Sequence, residues 1–119
     1  MKIELGFPPK ELFPNRANGV NWAALYKIKN DYRQNSGWLA KHQISNWKHD
    51  GQEVFLKLTF VMPDKRYRDL DNCLAASKAG LDGLADALGI NDKLFHPIQI
   101  MRDQGDKKTA KIIVEIGNQ

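Results

Sequence analysis

The sequence predicts an α+β domain: one compact layer of two main helices against a mixed sheet, in the order β-α-β-α-β-β. Three observations predict it. EVFLKLTFVM alternates, with Val54, Leu56, Leu58 and Phe60 on one face and Lys57 and Thr59 among the others. A long helical segment precedes it, and a second, closed by Gly89, follows. Two short β-patterned runs end the chain. At 119 residues, one domain spanning 1–119 is expected.

Met1 to Leu5 reads as a short strand, ended by Gly6, Pro8 and Pro9. ELFPNRANG is turn-rich through Pro14, Asn15, Asn18 and Gly19. Asn21 is placed to cap a helix running to about His42. Trp22, Leu25, Tyr26, Tyr32, Trp38 and Leu39 form its apolar stripe, interrupted near Gly37. Asp50 and Gly51 make a turn into the alternating strand, which Pro63 stops. A second helix is expected from near Asp71 to Leu88, although Gly80 and Gly83 each disfavour it by about 1 kcal/mol relative to alanine. A loop through Asn91, Asp92 and Pro97 leads to strands near Ile98 to Arg102 and Thr109 to Ile116. Gly105 and Asp106 between them suggest a hairpin. Phe55, Phe60, Met62 and Met101 are expected in the core. Trp22, Trp38 and Trp47 are open to core, interface or DNA-stacking roles.

Composition narrows the function classes. Hydrophobic residues at 42% and charged residues at 27% fit an ordinary globular domain and not a disordered chain. The net charge of +4 is a modest excess, so the position of the cations matters more than their number. The single cysteine, Cys73, excludes an internal disulfide and favours a reducing compartment. The start has no apolar run of signal-peptide type, and nothing approaches the roughly 20 apolar residues of a membrane helix. A cytoplasmic protein without membrane contact is expected. There is no P-loop or dinucleotide-binding glycine pattern, and His42, His49 and His96 lack zinc-ligand spacing.

The chemistry concentrates in PDKRYRDLDN, residues 63–72. Lys65, Arg66 and Arg68 run into Asp69 and Asp71. In an extended chain the two aspartates share a face and Leu70 turns into the core. Two close carboxylates repel unless one is protonated or a cation sits between them. A hard divalent ion such as Mg²⁺ suits oxygen ligands. Lys78 lies seven residues after Asp71, two turns up the same helix face, where it could neutralise a phosphate. Plainer roles compete at each position. Asp71 alone most simply caps a helix, Lys78 and Asp82 could form a surface ion pair, and the cationic run could be a solvated loop. The combination lifts the functional reading above them.

MPDKRYRDLDN joined to KAGLDGLADALGIND resembles the RusA-type Holliday junction resolvases of bacteria, phages and prophages. FPPKELFPNR also resembles that family's opening, and the likeness spans nearly the whole chain. It implies a homodimer that resolves four-way DNA junctions by paired, Mg²⁺-dependent nicks, with Mn²⁺ able to substitute. It implies that Asp69, Asp71 and Asp92 are the metal ligands and that Lys78 is the essential lysine. Asn91 stands where the family often has a further acid. Arg16, Lys65, Arg66, Arg68, Lys107 and Lys108 would then hold DNA phosphates. Two other readings stay open: a non-catalytic branched-DNA-binding module, and a metal-dependent enzyme acting on free nucleotides.

Overall fold

A computed structural model describes residues 1–14, 19, 21–44, 47–48 and 50–117. Four strands and three α-helices make an α+β domain: β1 (Lys2–Gly6), α1 (Trp22–Gln43), β2 (Val54–Met62), α2 (Leu70–Ala76), α3 (Lys78–Leu88), β3 (Phe95–Gln104) and β4 (Lys111–Gly117). Short 3-10 turns cover Lys10–Leu12 and Asp92–Leu94. The sheet order is β1-β4-β2-β3, with β2 and β3 parallel and the other pairs antiparallel. The sheet is therefore mixed, as expected.

The expected β3–β4 hairpin is not formed. Both strands pair with β2, one on each side: Met62 lies opposite Gln104, and Val61 opposite Lys111. The connection 105–110 arches over the end of β2. The Gly105 amide donates to the Met62 carbonyl at 3.0 Å, and Gln104 Nε2 to the Asp64 carbonyl at 3.0 Å. A Cβ on Gly105 would run into Val61 and Thr109, so only glycine lets the arch sit this low.

The alternation of β2 is realised in full. Val54, Leu56, Leu58 and Phe60 face the helices and are buried with Ile3, Leu5, Ile112, Val114 and Ile116. Phe55, on the opposite face, is only half-buried. Met62 is in the core, whereas Met101 is 40% exposed because it lies opposite Thr59, on the face of the sheet away from the helices.

Asn21 caps α1 as its sequence position predicts: its Oδ1 accepts from the Ala23 amide at 2.8 Å. The buried face of α1 keeps one aromatic of the expected stripe, Tyr32. It is made of Tyr32, Ser36 and Ala40, while Trp22, Tyr26 and Trp38 are exposed. The reason is the partner helix. A Cβ on Gly83 would collide with the Arg33 carbonyl and the Gly37 amide, and one on Gly80 with the Tyr32 ring. At the α1–α3 crossing Gly83 thus meets the backbone of α1, and Gly80 makes room for the Tyr32 ring. The same two glycines that cost helix propensity permit it.

The single helix expected over 71–88 is two helices, hinged at Ser77. Its Oγ donates to the Leu74 carbonyl at 2.8 Å, a local bond that competes with helix continuation. Gly89 ends α3 in the left-handed conformation, φ 71°.

Candidate functional site

The PDKRYRD segment leaves β2 at the end covered by the 105–110 arch, so two cation-bearing loops meet there. One carries Lys65 and Arg66, the other Lys107 and Lys108, and all four side chains are exposed. Asp106 organises the second loop. It accepts from the Thr109 and Lys108 amides, at 3.0 and 2.8 Å, which lowers its pKa. Arg16 lies outside the described residues, as do Asn15, Asn18 and His49.

Arg68 is committed inside the fold. Its guanidinium donates to both oxygens of Asp64, at 2.8 and 3.2 Å, and lies 5.7 Å from the Phe7 ring centroid. Asp64 also accepts from the Arg66 amide at 2.9 Å. The Arg68 hydrogen bond first, then the Arg66 amide, hold its carboxyl down at about 2. This pair makes the 63–68 loop a fixed wall and leaves Lys65 and Arg66 as its outward cations.

Asp69 and Asp71 follow directly. The chain is extended at Asp69 but turns helical at Leu70, so the two aspartates are not on an extended segment as expected. Asp69 takes the cap position of α2 without a side-chain cap bond, and Asp71 sits in the first turn. Both are exposed. Among the described residues neither carboxylate takes a hydrogen bond or an ion pair. Asp69 lines a cleft of about 690 Å³ with Phe7, Phe13, Arg66, Tyr67 and Arg68. Tyr67 stands beneath Arg102, whose guanidinium is 5.0 Å from the ring centroid. Cys73 is buried one turn into α2, and that burial pushes its thiol pKa up, which suits an inert core residue rather than a nucleophile.

Lys78 and Asp92 lie elsewhere. The hinge at Ser77 puts Lys78 at the start of α3, where it lines a second cleft of about 410 Å³ with Tyr26, Lys29, Arg33 and Asp82. Asp92 lines a third, beside Asp82 and Asp86. Burial first, then the nearby Asp92 carboxylate, raise the pKa of Asp82. Arg33 holds Asp86 in a two-pronged pair at 2.8 and 3.0 Å, which lowers the Asp86 pKa. Among the described residues no group of three His, Cys, Asp or Glu side chains stands close enough to hold one metal ion. Asp69 and Asp71 therefore adjoin the loop of Lys65 and Arg66, Lys108 lines a hollow with Glu4, Leu39 and Gln43, and Asp92 lies beside Asp82 at a separate corner.

Asp64, Phe7 and Asp82 were not singled out as site-building residues by sequence. Asp64 precedes Arg68 by four residues, a spacing that suggests an ion pair only if a turn is assumed. Nothing local marks Phe7.

No protein-family model matches the chain. It is 32% identical over 105 residues to a protein of Xylella fastidiosa (strain Temecula1) recorded as "Uncharacterized protein". That alignment takes in 81% of this chain and 64% of the relative, so the chain spans a little under two thirds of the relative's length. Among the described residues no helix is long and apolar enough to cross a membrane.

Proposed function

We propose that the chain is a Mg²⁺-dependent endodeoxyribonuclease of RusA type, a cytoplasmic homodimer that nicks four-way and related branched DNA in symmetric pairs. The observation that carries this is the R-D-L-D-N segment at the turn from β2 into α2. It combines two carboxylates without protein partners among the described residues and a sheet end that gathers Lys65, Arg66, Lys107 and Lys108.

The donor set fits a hard divalent ion. Mg²⁺ is commonly held by one or two carboxylates, with waters and substrate phosphates completing its shell. Asp69 and Asp71 supply such a pair, and Asp92 is a further ligand by resemblance alone. When bound, the ion would supply an acidified water and a Lewis acid for the phosphodiester. The protein's own part is to hold the strand. Lys65 and Arg66 take phosphates on one side of the cleft, and Lys107 and Lys108 extend that track. Lys78 neutralises a phosphate further along the strand, at the other end of α2. The products are a 5′-phosphate and a 3′-hydroxyl. A two-fold dimer matches the two-fold symmetry of a four-way junction.

The test is a labelled four-way junction with and without Mg²⁺, beside a linear duplex. Paired nicks that need the metal are expected. Asp71→Asn should reduce nicking at least about a hundredfold, the scale of losing charge stabilisation at a reacting centre, while junction binding persists. Unchanged cleavage by that variant would remove the metal site from the proposal. Binding without nicking by the wild type would leave a DNA-binding module, and competition by free nucleotide would point to nucleotide chemistry.

A further inference from the structure

The proposed nuclease site leaves unused the aromatic surface of α1. Trp22 and Tyr26 are 80% and 64% exposed, a large apolar area for a helix that packs its other face. They lie one turn apart with ring centroids 6.0 Å from each other and planes inclined by 23°. They form a shelf, with Tyr26 reaching into the cleft between α1 and the α2–α3 hinge. The same helix carries Lys27, Lys29, Arg33 and Lys41 against one acid, Asp31. Among the described residues Lys29 and Lys78, both lining that cleft, form no ion pair.

Position relates this shelf to the acidic cleft. Asp69 and Asn72, near the start of α2, line the first cleft, and Ala75 and Ala76, at its end, line the second. The 3-10 turn Lys10–Leu12 divides them, with Lys10 on one side and Leu12 on the other. The separation is thus the length of α2, about 10 Å for a helix of this size.

We propose that Trp22 and Tyr26 form a stacking platform for unpaired bases, with Lys29 and Lys78 holding the phosphates of that strand. Exposed aromatics beside unpaired cations suit single-stranded nucleic acid, because any base offers a face to stack and any nucleotide offers a phosphate. A protein partner of the same apolar shape would gain nothing from the cations unless it were acidic. The occupant is the unpaired strand next to a branch point. This deepens the nuclease reading and rests on it for the source of the strand, although strand binding itself requires no cleavage.

The experiment measures binding of a labelled oligothymidine and of a fully paired duplex, by anisotropy, in EDTA. Trp22→Ala and Tyr26→Ala should each weaken oligothymidine binding about tenfold or more, the scale of losing one stacked base. Trp22→Phe should retain most of it, and duplex binding should stay within about twofold, since phosphate contacts are untouched. Alanine variants that are folded by circular dichroism and bind oligothymidine like the wild type overturn the platform. So does an equal loss for duplex and oligothymidine, or a loss that only follows a shift in sedimentation from dimer to monomer. If the variants lose strand binding while the wild type nicks no junction, the platform stands and the nuclease assignment falls. Normal strand binding by variants of an enzyme that does nick gives the converse.

Discussion

The α1–α3 crossing and the cleft at the end of β2 handle the same problem in opposite ways. At the crossing, two backbones touch through Gly37 and Gly83. At the cleft, the wall is held by one internal pair, Arg68 with Asp64, and the next four charged groups, Lys65, Arg66, Asp69 and Asp71, face solvent. Cations occur in both regions. Arg33 at the crossing is consumed by Asp86, whereas Arg66 reaches Asp64 only at 3.8 Å. The difference separates charge that fixes the fold from charge left available to a ligand.

The sharpest way to break the comparison is Gly83→Ala. The new methyl would meet the α1 backbone at Arg33 and Gly37, which cannot move as a side chain can, so a loss of about 3 kcal/mol is expected, the upper range for overpacking. Urea unfolding measures it. A loss below about 1 kcal/mol would mean that the crossing gives way, and would remove the reason for the exposed aromatic face of α1.

A smaller effect should mark the cleft. Lys65→Gln and Arg66→Gln should each lower the salt slope of DNA binding by about one, with little change in stability. Arg68→Gln should instead loosen the loop and change the slope less, because its guanidinium is already paired. Titrations of binding against salt distinguish the three, and equal slopes for all would erase the division between wall and ligand groups.

The smallest effect is a titration. The Asp64 carboxyl is held at about 2, against an ordinary value of 3.8. Its folded pKa is depressed, so the stability from the Arg68 pair is complete above 3.8 and fades as pH falls through 2. Between pH 5 and 8 this pair contributes no pH dependence. Side-chain carbon NMR should find the low midpoint in the wild type and its return toward 3.8 in Arg68→Gln.

Local features were legible in the sequence. The Asn21 cap, the alternation of β2 and the Gly89 terminator are each set by neighbours within a few residues. Features decided by distant partners were not. The apolar stripe read on α1 by residue type shares only Tyr32 with the buried face of Tyr32, Ser36 and Ala40, which makes sense only once Gly80 and Gly83 are known to approach it. The hairpin failed for a similar reason. Strands spaced about 4.8 Å apart need a span of about 10 Å to skip one neighbour, and the loop 105–110 bridges that easily. Of the candidate site, the exposed Lys65 and Arg66 leading into Asp69 and Asp71 were legible, but not the helical turn at Leu70 that takes the two aspartates off one extended face. The hinge that sends Lys78 to a different cleft was not, because it turns on one serine bonding back to its own helix.

β4 sits between the first strand, β1, and the second, β2. Lys2–Gly6 has β4 as its neighbour and no other, so its backbone stays unpaired until residues 111–117 have been synthesised and have docked on β2. The amino-terminal strand must therefore wait until β4 has left the ribosome, and the sheet closes only then. A chain stopped short of Lys111 would present two open strand edges at once, β1 and one side of β2, the condition that favours aggregation over folding.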